Sequence, residues 1–166
     1  MDIKDAKKLI KKTKRDFEKI ALQFSYTRIF PRPEMKYFAG KYLKPHQKIL
    51  DIGCGNGLFF ELIKDKEINY TGIDSSKKLI SFARKKYPRT KFLVKNALEL
   101  NFKKNYFDLI FSFAFLHHIP SESLRLNFLQ NIYKLLKPKG YFICTCWNSF
   151  AGRKMKSIKT YKFTTR

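Results

Sequence analysis

Between residues 3 and 24 the apolar side chains fall at Ile3, Ala6, Ile10, Phe17, Ile20, Ala21 and Phe24. Spacings of three and four dominate, which predicts an amphipathic helix with its lysines on the outer face. Pro31 and Pro33 interrupt the pattern, and a second short helix is predicted from Glu34 to Leu43 with Pro33 at its start. The rhythm then changes. Short apolar runs at Lys48–Ile52, Asn69–Ile73, Lys91–Val94, Asp108–Phe113 and Tyr141–Trp147 read as strands. Between them Leu58–Lys64, Ser76–Lys86 and Ser121–Leu136 read as helices, with Ser75 or Ser76 capping the second and Ser121 the third. Pro138 and Gly140 mark a turn into the last strand. Strands that are apolar almost throughout, alternating with helices, predict an α/β fold with a parallel sheet covered on both faces. No internal repeat is present.

This pattern divides the chain into a helical lid segment over 1–44, a sheet-forming domain over 45–150 and a basic, weakly patterned tail over 151–166. Hydrophobic residues make up 44% of the sequence, enough for one domain with one core. No stretch approaches the ~20 continuous apolar residues of a membrane span. The opening MDIKDAKKLIKKTKRD has no apolar signal core. A cytoplasmic protein with no membrane partner is therefore expected.

Charge adds a partner class. The formal net charge is +23 and the pI about 10.0, a field that attracts polyanions. RNA is the expected one; DNA is not expected. The excess of Lys over Arg, with abundant Phe, Ile, Asn and Tyr, would also follow from AT-rich coding, so charge alone leaves the polyanion open. The three cysteines form no disulfide framework. Cys144 and Cys146 share a strand face and make a poor metal clip without further ligands. They are expected to be reduced, buried and apolar, and no metal is expected.

The chemistry centres on Asp51-Ile52-Gly53-Cys54-Gly55-Asn56-Gly57, which follows the first strand. In doubly wound sheets a nucleotide-like ligand binds there, outside the carboxyl ends of the strands. Glycines allow the tight turn and the close backbone approach. Asp74, at the end of the second strand and 17 residues after Gly57, is placed to accept both ribose hydroxyls. A dinucleotide fingerprint needs a glycine at its sixth position, and here that position is Leu58. S-adenosylmethionine carries adenosine but no phosphate, and it brings a sulfonium and an ammonium. Asp51 and Asp74 flanking the cleft of an otherwise basic protein suit such a cation. Asn96 after the third strand is placed to bond the adenine edge, and Phe113 stands at the mouth of the fourth strand. The expected cofactor-binding set is Asp51, Gly53, Cys54, Gly55, Asn56, Asp74, Ser75, Asn96, Ala97 and Phe113. His117 and His118 are adjacent and expected to point apart, serving either as a substrate contact or as a polar turn.

Together Asp51–Gly57, Gly72-Ile73-Asp74, Phe107-Asp108-Leu109-Ile110, His117-His118 and Leu136-Lys137-Pro138-Lys139-Gly140 resemble class I S-adenosylmethionine methyltransferases. The resemblance covers about residues 45 to 147 and implies a Rossmann-like, doubly wound, mostly parallel sheet. Relatives of this class often carry Asp where this chain has Asn96. Upstream, Phe17-Glu18-Lys19-Ile20-Ala21, Phe24-Ser25-Tyr26-Thr27-Arg28, Pro31 and Pro33 are similar to the tRNA wobble-uridine carboxymethyl methyltransferases. So are the run from His117-His118 through Ser121, Glu122 and Arg125, and Cys144-Thr145-Cys146-Trp147. This narrower resemblance implies methyl-ester formation on a carboxymethylated wobble uridine, a tRNA partner and, for some members, a small zinc-binding partner protein. Arg32 stands where that family usually has Trp. Class I members also add a helix and an antiparallel hairpin after the fifth strand; none is legible here, so the sheet edge is expected to be bare or completed by a partner.

A carboxylate nucleophile is ionised at neutral pH and needs a cationic clamp rather than a base. Arg28 and Arg125 are the candidates, because guanidinium binds carboxylate bidentately. His117 is the third candidate for contact with substrate. Two other readings stand beside this one. A small-molecule methyltransferase, acting on a metabolite or quinone precursor, would share every cofactor residue. A non-catalytic RNA-binding or scaffold domain would keep the fold but would not need Asp51, Gly53, Gly55 and Asp74.

Overall fold

The computed structural model describes residues 2–146. The expected basic tail over 151–166, the missing hairpin and Trp147 lie outside the described residues. Helix α1 runs Ile3–Thr27 and α2 runs Pro33–Tyr42. Strands β1 (Lys48–Ile52), β2 (Asn69–Asp74), β3 (Lys91–Val94), β4 (Phe107–Phe113) and β5 (Leu136–Thr145) follow, with α3 (Lys77–Lys86) between β2 and β3 and α4 (Glu122–Leu135) between β4 and β5. All five strands are parallel, in the order β3-β2-β1-β4-β5. This is the covered parallel sheet the strand pattern predicted and the Rossmann-like, doubly wound fold the family resemblance implied.

Alternate residues of each buried strand feed opposite faces, so the sheet separates two apolar layers. Ile49, Tyr70, Leu109, Phe111 and Ile143 pack with Met35 and Phe38 of α2 and Ile80 and Ala83 of α3. Leu50, Ile52, Ile73, Ile110 and Phe142 pack on the other side with Phe128, Ile132 and Leu135 of α4. Asp108 fastens the sheet at its amino end: its carboxylate accepts the Lys48 N–H at 2.8 Å and the Lys137 ammonium at 2.7 Å.

Three local expectations are corrected. The helix expected over Leu58–Lys64 is a series of turns with a single 3-10 turn at Phe60–Leu62. So short a segment gains few i→i−4 bonds, and its rings settle the matter. Phe59 is buried against Phe111 and Phe113, while Phe60 packs on Tyr70, Tyr87 and Phe92. Ser121 occupies the N-cap position of α4 but makes no cap bond, because its hydroxyl pairs with that of Ser123 at 2.8 Å. Ser76 does cap α3, accepting the Leu79 N–H at 3.2 Å. The last strand starts at Leu136 rather than Tyr141, and the expected turn is present as an irregularity inside it. Pairing steps from Phe107↔Leu136 to Leu109↔Tyr141, and Lys139 takes a φ of 64° in between.

Helix α1 is not merely appended. Ala6 and Ala21 are fully buried. The Glu18 carboxylate receives the Lys77 N–H, and the Lys78 N–H at 3.3 Å, at the amino end of α3. An acid on two otherwise unsatisfied N–H groups of a helix start is favoured by both hydrogen bonding and the helix dipole. Glu18 thereby ties α1 across the carboxyl edge of the sheet.

Candidate active site

Two connected clefts open at that carboxyl edge, one of about 370 Å³ and one of about 570 Å³. Gly53, Asp74, Ser75, Phe115 and His118 line both, so the pair forms one crescent. The smaller arm runs past Val94, Asn96, Ala97, Leu98 and Ile119 beneath Ile10, Lys11 and Lys14 of α1. The larger arm lies over Asp51, Cys54, Gly55, Asn56 and Phe113 and opens between Arg28, Phe30 and Arg32. Each of the ten residues expected to bind cofactor lines one arm or both.

The glycine loop forms the floor. Gly53 and Gly55 have φ of 75° and 56°, the left-handed region where L side chains are strained. A Cβ on Gly53 would also stand 2.8 Å from the Phe115 ring. Phe115 reaches that place because Ala114 turns the chain sharply after β4 at φ 52°. The turn is held by the Ala114 N–H donating to the Thr145 carbonyl at 2.9 Å and its hydroxyl at 3.0 Å.

The two acids differ. Asp74 accepts the Gly55 N–H at 3.1 Å and the Ser76 N–H at 2.8 Å, one on each oxygen. Burial raises its pKa against these bonds, and Glu18 adds to the rise. The carboxylate borders both arms of the cleft. Asp51 is 2% exposed and accepts the Tyr70 hydroxyl at 2.7 Å. Burial pushes its carboxyl up to about 7, partly opposed by Tyr70 and reinforced by Asp74. Next to them, the Asn56 amide donates to the Arg28 carbonyl at 3.3 Å, while its Oδ1 is shielded from solvent and has no hydrogen-bond partner among the described residues. A shielded acceptor and two carboxylates around one cleft suit a ligand that brings donors and positive charge. S-adenosylmethionine, with its ribose hydroxyls, ammonium and sulfonium, fits this set.

Other expected residues sit differently from one another. Asn96 folds into a local turn, its Oδ1 accepting the Leu98 N–H at 3.1 Å and its amide donating to Glu99 at 2.9 Å. Arg28 caps the end of α1, with its guanidinium 4.0 Å over the Phe24 ring and 3.1 Å from the Thr27 hydroxyl. Arg125 lines neither arm; it donates to the Ile119 carbonyl at 2.7 Å, behind the histidine turn. His117 lines the larger arm. The two histidines do not point apart: their rings lie 4.2 Å apart, because the turn here is a 3-10 turn rather than a strand. His118 also packs edge-on against Phe17, and burial together with His117 lowers its pKa to about 4, so it is neutral near pH 7. Cys54 and Cys144 are buried thiols, but Cys146 is half-buried, and Cys144 and His117 hold its pKa well below the usual thiol range. Among the described residues no three His, Cys, Asp or Glu side chains gather as a metal site.

Sequence reading missed Phe115, Tyr70, Phe24 and Phe30. Phe115 had a usable signal, since the loop after a strand's carboxyl end borders the ligand in this architecture. Tyr70 and Phe24 had none, because their partners are set by packing between distant elements.

A parallel sheet in this order, with a glycine loop after β1 and an acid ending β2, is a nucleoside-binding α/β architecture, and the G-x-G-x-G spacing with Leu58 in sixth place fits the S-adenosylmethionine-dependent methyltransferase class rather than a dinucleotide fold. Residues 50–144 match the family model described as a methyltransferase domain, and the chain belongs to that family. It is 32% identical over 133 residues to the tRNA (carboxymethyluridine(34)-5-O)-methyltransferase of Arabidopsis thaliana, covering 80% of this chain and 32% of that one. The protein of the same description from Saccharomyces cerevisiae is 33% identical over 132 residues, covering 79% and 46%. Phosphoethanolamine N-methyltransferase 2 of Caenorhabditis elegans is 33% identical over 124 residues, covering 71% and 28%. The chain thus spans less than half the length of each of these relatives.

Among solved structures, an S-adenosylmethionine-dependent methyltransferase from Methanosarcina mazei superposes with a TM-score of 0.61 at 28% identity, covering 69% of this chain and 57% of that one. Haemonchus contortus phosphoethanolamine N-methyltransferase 2, bound to phosphomonomethylethanolamine and S-adenosylhomocysteine, gives 0.60 at 26%, covering 68% and 28%. A Haloferax volcanii methyltransferase in complex with the Trm112 methyltransferase activator shares the fold, at 0.60 and 20%, covering 78% and 59%.

Proposed function

We propose that this methyltransferase domain esterifies the carboxymethyl group of a wobble uridine in tRNA, in the cytoplasm, with S-adenosylmethionine as methyl donor. The observation that carries this reading is the polarity of the larger arm. Its floor holds Asp51 and Asp74, which suit a cationic donor, and its mouth holds Arg28 and Arg32, which suit an anionic acceptor. The curated tRNA relatives from a plant and a yeast support the same substrate. A small zinc-binding activator protein belongs to the proposal as a partner; the Haloferax volcanii neighbour is itself in complex with an activator.

In this reading Asp74 would hold the ribose hydroxyls, Ser75, Asn96 and Ala97 would border the adenine, and Asp51 and the Asn56 Oδ1 would receive the ammonium. The cofactor, when bound, would supply an electrophilic methyl on a sulfonium. Phe113 and Phe115 keep water from the centre of the crescent. The substrate carboxylate is already ionised at neutral pH, so no residue has to remove a proton. The task left to the protein is to hold the carboxylate in line with the methyl. Arg28 does this, its guanidinium pre-oriented by Phe24 and Thr27. His117 borders the acceptor. Arg125 acts through the Ile119 carbonyl, as a positioning residue for the histidine turn.

A second reading, a phosphorylated small-molecule acceptor, is favoured by the Caenorhabditis elegans relative. One experiment separates them. The full chain is incubated with labelled S-adenosylmethionine and either tRNA lacking wobble esters or phosphoethanolamine, and digestion identifies the labelled product. Label in the wobble nucleoside is expected. Arg28→Lys, which keeps the charge but loses the planar fork, should bind cofactor normally and turn over at least about tenfold more slowly. Label in phosphoethanolamine alone overturns the tRNA reading.

A further inference from the structure

At the mouth of the larger arm, the connector between α1 and α2 holds Phe30 out into solvent. The ring is 79% exposed and still lines the cleft. Large aromatic side chains are normally among the most covered in a protein, so one standing over an active-site cleft calls for an occupant. Its setting narrows that occupant. Pro31 and Pro33 fix the backbone torsions on the far side, and Pro33 opens α2. The ring is therefore presented on a stiff connector. Arg28 and Arg32 stand two residues to either side, and both line the same mouth. Each guanidinium is anchored from behind, Arg28 on the Phe24 ring at 4.0 Å and Arg32 on the buried Glu34 carboxylate at 3.3 Å.

We infer that Phe30 is a stacking platform for an unpaired nucleobase of an RNA substrate, with Arg28 and Arg32 receiving the phosphates or carboxylate beside it. The inference rests on the tRNA reading above and adds the residue that selects RNA over a small metabolite. A flat ring between two cations matches a flat, electron-rich base carried on an anionic backbone. Ile29 and Tyr26 are exposed in the same segment, but Arg28 and Arg32 interrupt the apolar surface with charge, which suits a polyanion better than an apolar peptide. The chain's net charge of +23 favours a polyanion overall.

The test uses the full chain and an anticodon stem-loop RNA carrying carboxymethyluridine at the wobble position. Phe30→Ala should raise KM for this RNA by about tenfold, the effect of losing one base–aromatic stack, with kcat and S-adenosylmethionine affinity unchanged. Phe30→Trp should restore KM, whereas Phe30→Leu, apolar but not flat, should not. In a second arm, the emission that Phe30→Trp adds to the wild-type background is titrated with the stem-loop and with single-stranded oligouridylate; both should quench it. A wild-type KM for Phe30→Ala, full rescue by Phe30→Leu, or an added emission that saturating RNA leaves unchanged overturns the platform. So does a loss of cofactor affinity or a change in oligomeric state in Phe30→Ala, since the ring would then cover the cofactor or a second copy of the chain. If wild type methylates no RNA but the added emission is still quenched, the platform stands and the methyl-ester reading falls.

Discussion

The floor of the crescent presents backbone N–H groups, left-handed glycines and two shielded carboxylates, whereas its mouth presents the exposed Phe30 ring between Arg28 and Arg32. Floor positions are over-determined. Asp74 is held by two backbone donors and Asp51 by Tyr70. Above the cleft, α1 is tied down at Glu18, Arg28 leans on Phe24 and Thr27, Arg32 pairs with Glu34, and the Phe30 ring stands exposed. A site that must hold one invariant cofactor can be built from rigid backbone. A site that must accept a macromolecule needs exposed groups that its partner will cover. The contrast predicts that floor changes strike cofactor binding and mouth changes strike acceptor binding.

The largest effect is expected at Gly53. Gly53→Val places a branched side chain at φ 75° and drives its Cβ to 2.8 Å from the Phe115 ring. Strain of this kind costs roughly 1–3 kcal/mol before any ligand is considered. Calorimetric affinity for S-adenosylmethionine should fall by about a hundredfold, while far-ultraviolet circular dichroism retains its helical signal. Normal binding would move the cofactor off the glycine loop.

A smaller loss is expected at Asp74. In the proposed reading Asp74→Ala would remove a charged acceptor from two ribose hydroxyls, each such bond being worth roughly 1.5–3 kcal/mol. Cofactor affinity should weaken by at least about tenfold, with tRNA retention unchanged. A variant that loses tRNA but keeps cofactor would reverse the division between floor and mouth.

The smallest effect concerns pH. Burial lifts the Asp51 carboxyl to about 7, against about 4 in an unfolded chain. Its raised pKa makes a stabilising contribution that is complete below about pH 4 and lost as pH rises through about 7. A cationic ligand has the opposite preference, because it favours the ionised carboxylate. Cofactor affinity should therefore tighten by about fivefold between pH 6 and pH 8, with proton release on binding. Asp51→Asn should flatten that dependence. His118, with its pKa lowered to about 4, does not titrate in this window. An unchanged slope in Asp51→Asn would place the proton elsewhere.

Glycine spacing, the acid closing β2 and the alternation of apolar runs were legible because each is a local property. Burial on both sheet faces leaves a continuous apolar run, and a left-handed turn at a strand end demands glycine wherever the rest of the chain goes. The sequence by itself therefore determined the five parallel strands, the glycine loop and the residues lining the cleft at the carboxyl edge of the sheet. Only the tertiary structure decided that Glu18 of α1 would cap α3, that Tyr70 would hold Asp51 and that Arg125 would support the histidine turn from behind. It also decided that Leu58–Lys64 would surrender a helix to ring packing and that Phe30 would be left bare at the mouth. Several of these outcomes join residues far apart in the chain, and the rest depend on which side of an element its neighbours cover. Periodicity fixes which positions face inward, but the partner each one meets is set when helices and strands dock and their rotamers interlock.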